Sequence, residues 1–361
     1  MAKKKLFTVK NENQRQNEIT TPQKVLNEKG DIANPGWAKR PLYEYHKKDI
    51  GTSKWRLKEW DCFVIWNQEV GMTLTISDVA FIGIGSILIN DFYTAKKPVS
   101  VNAIKPFPLG NLNLPESSYT ESTVEIKSGG VELKFERTKE GRHLTGSAKK
   151  FGKEKKPISV DLTLFDESPD TTYIATPFDK PAHFYFNQKI NCMKVKGTVV
   201  WGDRVIEFKP EETLATLDWG RGVWTYENIW LWSSFNTYLE DGSTLGWNLG
   251  YGFGDTRAAT ENILFYNGVA HKLDEVFFDS PYLPNGKDDF ETPFDATSND
   301  GRFEVHFEPV FDSSQPLNIG VVAFAGHSIF GKFSGKVVLD DGTVVEFKDR
   351  MGFWEKFHNK W

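Results

Sequence analysis

The chain has 361 residues, with 44 Lys and Arg against 49 Asp and Glu, a formal net charge of −5. That balance argues against a nucleic-acid-binding protein, which carries a strongly basic face. Aromatic residues make up 14% of the chain, which excludes disorder and supplies bulk for two domains or one large one.

Residues 1–54 stand outside the patterns that follow and carry Pro35-Gly36-Trp37 and Pro41-Leu42-Tyr43. This segment is expected to pack as an extension across the rest of the chain. From Trp60 onward the period is mostly two, the signature of half-buried strands. Val131–Glu136, Ile158–Phe165 and Phe303–Glu308 are such runs. Asp78 interrupts the apolar Leu74–Ile84 run, where a carboxylate either faces water or is kept for a task. The lysine-rich stretch from Lys149 to Lys156 reads as a solvated hairpin loop. Asp241-Gly242, Asn267-Gly268 and Asp341-Gly342 each separate two strand-like runs, and Asx-Gly accepts the positive φ angles of two-residue turns. Helical patterns are scarce; Met351–His358 is predicted as a short last helix.

The sequence also repeats internally. Gly197–Phe208 aligns with Gly335–Phe347, each a hairpin ending in Glu-Phe. Trp60–Trp66 followed by Thr73 matches Trp230–Phe235 followed by Thr244, and both lead into glycine-rich strands. The expected architecture is all-β: two tandem antiparallel barrels, residues 55–215 and 216–361, after the 1–54 extension. Closure removes exposed edges, and a barrel of this size holds one small ligand.

No run approaches the ~18 consecutive apolar residues of a membrane span. The basic start leads into polar residues instead of an apolar core, so no signal peptide is expected and a cytoplasmic location is. Cys62 and Cys192 make no disulfide framework, and the seven histidines show no metal-ligand spacing. No dinucleotide fingerprint, phosphate loop or nucleophile elbow is present. Neither metal nor cofactor is therefore expected.

The densest unusual stretch runs from Asp218 to Trp232, with Trp219, Arg221, Trp224, Tyr226, Trp230 and Trp232. Gly220 and Gly222 flank Arg221 and permit close approach. Trp230 and Trp232, two apart, share one strand face. An aromatic wall with one acid and one guanidinium suits an apolar pocket with a few polar groups. The alternative is an inter-domain core with Asp218–Arg221 as a structural ion pair. Glu261 and His271 flank the Asn267-Gly268 hairpin and are expected to meet as an acid/base pair.

On these residues the chain resembles the bacterial family called domain of unknown function 2804. Gly36–Leu42, Lys58–Asp61, Asp218–Trp224 with Tyr226, Trp230 and Trp232, and Thr260–Asn262 fit its pattern, with Thr225 where the family has Pro. A remoter similarity, carried by Asp218-Trp219-Gly220, is to the double-barrel lipocalin-like families of carotenoid 1,2-hydratase and tocopherol cyclase. That resemblance implies hydration, cyclisation or isomerisation of a hydrophobic isoprenoid or polyketide without redox cofactors. Asp218 would be the general acid, Trp219, Trp224 and Trp230 would stabilise a cation, and Arg221 would hold a polar head group. A non-catalytic lipid or pigment binder uses the same pocket. Carbohydrate cleavage would instead pair Asp218 with Glu227 or Glu261.

Overall fold

The computed structural model describes residues 16–314, 317–318 and 323–360. Two antiparallel sheets, each curled into a near-barrel, follow one another in the chain. The first has thirteen strands. Its main path begins at Val99–Pro106 and runs through Ile82–Asp91, Val70–Asp78, Leu57–Trp66, Leu214–Val223, Phe184–Trp201, Lys156–Phe165, Gly141–Phe151 and Val131–Thr138 to Ser122–Ser128. The second, of ten strands, begins at Val269–Lys272 and runs through Ile263–Tyr266, Thr244–Tyr251, Glu227–Tyr238, Val344–Lys360, Ala323–Val338, Phe303–Asp312 and Phe294–Ser298 to Val276–Phe278.

The sequence repeat reappears as a repeated pairing order. Leu57–Trp66 lies between Val70–Asp78 and Leu214–Val223, as Glu227–Tyr238 lies between Thr244–Tyr251 and Val344–Lys360. Gly197 pairs with Phe208 and Gly335 with Phe347. Their φ angles are +148° and +150°, and a Cβ at either would lie 2.1 or 2.2 Å from a neighbouring strand's carbonyl. The changeover between sheets falls after Val223. The expected boundary at 215/216 lies inside the Leu214–Val223 strand, which pairs wholly within the first sheet.

The Asn267-Gly268 turn has φ of +48° and +74°, the type I′ geometry its sequence favours. The short C-terminal helix is not formed. Residues 344–360 are one long strand, paired to Glu227–Tyr238 on one side and Ala323–Val338 on the other. Its Met351–Trp354 stretch is buried on both faces, and a strand covered on both faces loses the visible alternation that distinguishes it from a helix.

Each barrel interior holds an apolar core. Phe63, Ile65, Leu74, Ile87, Leu133, Leu162, Val195 and Leu217 pack the first. Trp247, stacked on Phe235 with centroids 3.9 Å apart, centres the second with Phe303, Phe333 and Trp354. Residues from the 16–56 segment, including Ile19, Val25, Tyr43 and Tyr45, complete the first core. The outer faces of the two sheets then pack on each other. Two apolar clusters line that seam, one around Trp37, Tyr185, Trp224 and Phe253 and one around Val64, Trp66, Trp232 and Phe353.

Candidate functional site

Strand alternation decides which residues reach the seam. Along Phe184–Trp201, Phe184, Phe186 and Ile190 enter the first core. Tyr185, Asn187, Lys189 and Asn191 point the other way, as period two requires. Asp218 and Thr216 do the same on Leu214–Val223. From the second sheet come Trp230, Trp232, Asn248 and Glu355, with Glu261 from the loop before Ile263.

These side chains form a buried ionisable cluster. Lys189 Nζ lies 2.7 Å from Asp218 Oδ1 and 3.8 Å from Glu261 Oε2, and 4.0 Å from the Trp232 ring centroid. Asn187 Nδ2 donates to Asp218 Oδ1 at 2.7 Å. Tyr185 Oη and Asn248 Nδ2 donate to the two Glu261 oxygens at 3.1 and 3.0 Å. Trp230 Nε1 donates to Glu355 Oε1 at 2.9 Å. Trp232 Nε1 donates to Asn248 Oδ1 at 2.6 Å. Two carboxylates thus share one ammonium, and Glu355 adds a third acidic group to the cluster.

The electrostatics follow from burial and neighbours. Burial opposes the charge on Lys189, but the carboxylates of Asp218, Glu261 and Glu355 outweigh it and raise its pKa. Burial pushes Glu355 up to about 7, with Asp218 adding to the rise while Trp230 and Lys189 oppose it. Burial and then Asp218 push the Cys62 thiol up to about 12, so it stays neutral. Burial and then Glu261 hold the Tyr185 hydroxyl well above its usual range.

Arg221 does not join Asp218. The two are three apart on a strand and so lie on opposite faces. Arg221 is 0% exposed, inside the first barrel. Its Nη1 donates to the carbonyls of Trp60 and Gly220, both at 2.8 Å, and its Nη2 to Asp61 Oδ1 and the Pro115 carbonyl, both at 2.9 Å. Glu59 lies 3.5 Å away, and the Trp219 ring lies 4.0 Å beneath the guanidinium. Its guanidinium donors are thus engaged by one carboxylate and three backbone carbonyls of the chain. Trp219 is likewise a core residue against Tyr45 and Phe186.

The flanking glycines do permit close approach, but of the protein's own indoles. A Cβ on Gly220 would sit 1.9 Å from the Trp60 ring, and one on Gly222 2.8 Å from Trp224 Nε1. Trp224 packs with Trp60 and Phe253 at the cluster's edge. Tyr226 is 48% exposed. The Glu261–His271 pair is not formed: Glu261 turns into the seam, while His271 Nδ1 accepts the Asp340 backbone N–H at 3.2 Å. Glu227 is exposed and pairs with His358 and Lys360.

Sequence reasoning missed Lys189, Glu355, Tyr185, Asn187 and Asn248. The period-two placement of Asn187, Lys189 and Asn191 inside the aromatic Phe184–Ile190 run was the available signal. Glu355 was hidden by the helical reading. A second polar knot lies along the same seam, where Asn191 Nδ2 lies within hydrogen-bond distance of Thr216, Ser234, Asn236 and the Trp247 carbonyl, 3.0 to 3.1 Å away. No group of His, Cys, Asp and Glu among the described residues has metal-site geometry, and no helix there is long and apolar enough to cross a membrane.

No curated protein sequence matches the chain. The fold is similar to the crystal structure of a protein provisionally assigned as AttH from Nitrosomonas europaea, at TM-score 0.50 and 14% identity, covering 86% of this chain and 96% of that one. Kievitone hydratase from Nectria haematococca aligns at TM-score 0.49 and 12% identity over 84% and 88% of the two chains. CghA with Sch210972 aligns at 0.47 and 11% over 93% and 96%. The first of these likenesses concerns the fold alone, two successive antiparallel sheets each curled into a near-barrel. The family profile of domain of unknown function DUF2804 matches residues 16–361, and the chain belongs to that family.

Proposed function

We propose that the inter-sheet cluster is an acid/base site that binds a hydrophobic small molecule and converts it by proton transfer, as in a hydration, cyclisation or isomerisation. The observation that carries this reading is the pairing of two unlike carboxylates around Lys189. Glu355, pushed up to about 7, holds a proton near neutrality. Asp218, 2.7 Å from the Lys189 ammonium, is its ion-pair partner. Carboxyl groups whose surroundings differ in this way take opposite roles in acid/base catalysis. Glu355 donates the proton, Asp218 receives one, and Lys189 and Asn187 position Asp218. Trp230, between Phe253 and Phe357, forms the apolar wall. The surplus of negative charge favours a substrate that develops positive charge.

The test is turnover of a panel of isoprenoids and polyphenols, read by mass and retention time. Glu355→Gln is expected to lower the rate at least ~100-fold, the usual size of a general-acid contribution, while ligand quenching of Trp fluorescence is kept. An unchanged rate in that variant refutes the acid role. The full internal satisfaction of Glu261 by Tyr185 and Asn248 favours a second reading, a binder without turnover. That reading is selected if ligands bind and none changes mass or retention time. Sugar recognition is disfavoured, because Trp55 is the one described Trp more than a third exposed.

A further inference from the structure

Asp78 has a task, and it lies away from the seam. It is 1% exposed, at the end of Val70–Asp78. Its Oδ1 accepts the backbone N–H of Ala80 at 2.9 Å, and its Oδ2 those of Gly110 and Leu112 at 2.8 and 3.4 Å. One carboxylate therefore clamps two loops, 79–81 and 107–112, into a single tip, closed further by Phe107 N–H donating to the Phe81 carbonyl at 3.0 Å. What this tip presents is unusual for a surface. Phe107 sits at φ +50°, a conformation that bulky L-residues rarely hold, and is 62% exposed. Trp55, 53% exposed, meets it edge-on with centroids 6.0 Å apart. Ile104 beside them is 41% exposed. Backbone strain that holds an aromatic ring in water invites a functional explanation.

The carboxylates beside the tip, Asp78 and Glu59, are buried, and the exposed charges it presents are cationic. Segments 52–58, 79–83 and 104–112 carry Lys54, Arg56, Lys58 and Lys105, in a chain whose net charge is −5. Lys54 and Lys105 are exposed, and Lys58 Nζ lies 5.0 Å from the Phe81 ring centroid. Arg56 Nη2 donates to the Trp224 carbonyl at 2.6 Å, which joins the tip to the aromatic flank of the seam.

We propose that this tip docks the protein on an anionic lipid surface, with Trp55 and Phe107 entering the headgroup layer and Lys54 and Lys105 meeting lipid phosphates and carboxylates. Indole and phenyl rings favour that layer, and clustered cations are attracted to it.

The experiment is co-sedimentation of the full chain with phosphatidylcholine vesicles, with and without phosphatidylserine. The wild type is expected to pellet with the phosphatidylserine vesicles and to be released by salt. Lys54→Glu with Lys105→Glu is expected to lower partitioning at least ~10-fold, since each juxtamembrane cation contributes about fivefold. Trp55→Ser with Phe107→Ser is expected to weaken binding with far-UV circular dichroism unchanged. A wild type that stays in the supernatant, or a charge-reversed variant that pellets equally, overturns the proposal. So does a wild-type dimer that Trp55→Ser with Phe107→Ser splits into monomers while the vesicles pellet none of it, because the tip is then a self-association surface.

Discussion

Glu355 and Arg221 are both ionisable groups taken from water, and they answer to opposite rules. The Glu355 pKa is raised by folding, from 4.5 to about 7. A raised acid contributes stability that is present below its unfolded pKa and lost as pH rises through its folded one. Wild-type stability is therefore expected to fall between about pH 4.5 and 7 by roughly 1–3 kcal/mol relative to Glu355→Gln. Urea unfolding of both proteins across that range checks it, and parallel stability profiles would contradict it. Arg221 is locked by Asp61 and three carbonyls with no exposure. Arg221→Met leaves Asp61 buried without its partner and is expected to cost about 3–5 kcal/mol. A loss under ~1 kcal/mol, the worth of a surface pair, would contradict the anchor role. Cys192, buried and pushed up to about 12, is expected to react with a thiol reagent at pH 8 only after denaturation; native labelling would show that its surroundings open.

At the scale of elements, the duplicated hairpin offers a paired test. Gly197 and Gly335 hold the same φ and the same close approach to a partner carbonyl. Gly197→Ala and Gly335→Ala are expected to destabilise by similar amounts, about 1–3 kcal/mol each, and a large effect at only one would break their equivalence. The sequence made this much readable because turns and alternation are local. Asn267-Gly268 and the Val131–Thr138 strand need no tertiary information to be identified. The Met351–Trp354 stretch of the last strand was not readable, because burial on both faces erases the pattern. Asp218 and Arg221 were both identified, yet their separation of three on a strand was not followed to its result, opposite faces. Lys189 was hidden because its two carboxylate partners lie 29 and 72 positions further along the chain.

At the scale of the whole molecule, the ionisable cluster lies at the seam between the sheets. The cluster draws Lys189 and Asp218 from one sheet and Glu355 and Glu261 from the other half, so neither half holds the site alone. The Asn191 knot and the Trp66 Nε1 donation to the Met351 carbonyl at 2.9 Å couple the two sheets through buried polar groups, which are costly to leave unpaired. Unfolding is expected as one transition by both Trp fluorescence and far-UV circular dichroism; two separated transitions would show the sheets to be independent.

The location of the ligand is the central claim, and a crystal structure of the protein with its tightest-binding apolar ligand tests it most directly. The account expects ligand carbon atoms against Trp230 and a ligand polar atom within hydrogen-bond reach of Glu355 or Asp218. A ligand seated inside either barrel, displacing Phe63 and Leu133 or Trp247 and Phe333, would contradict it.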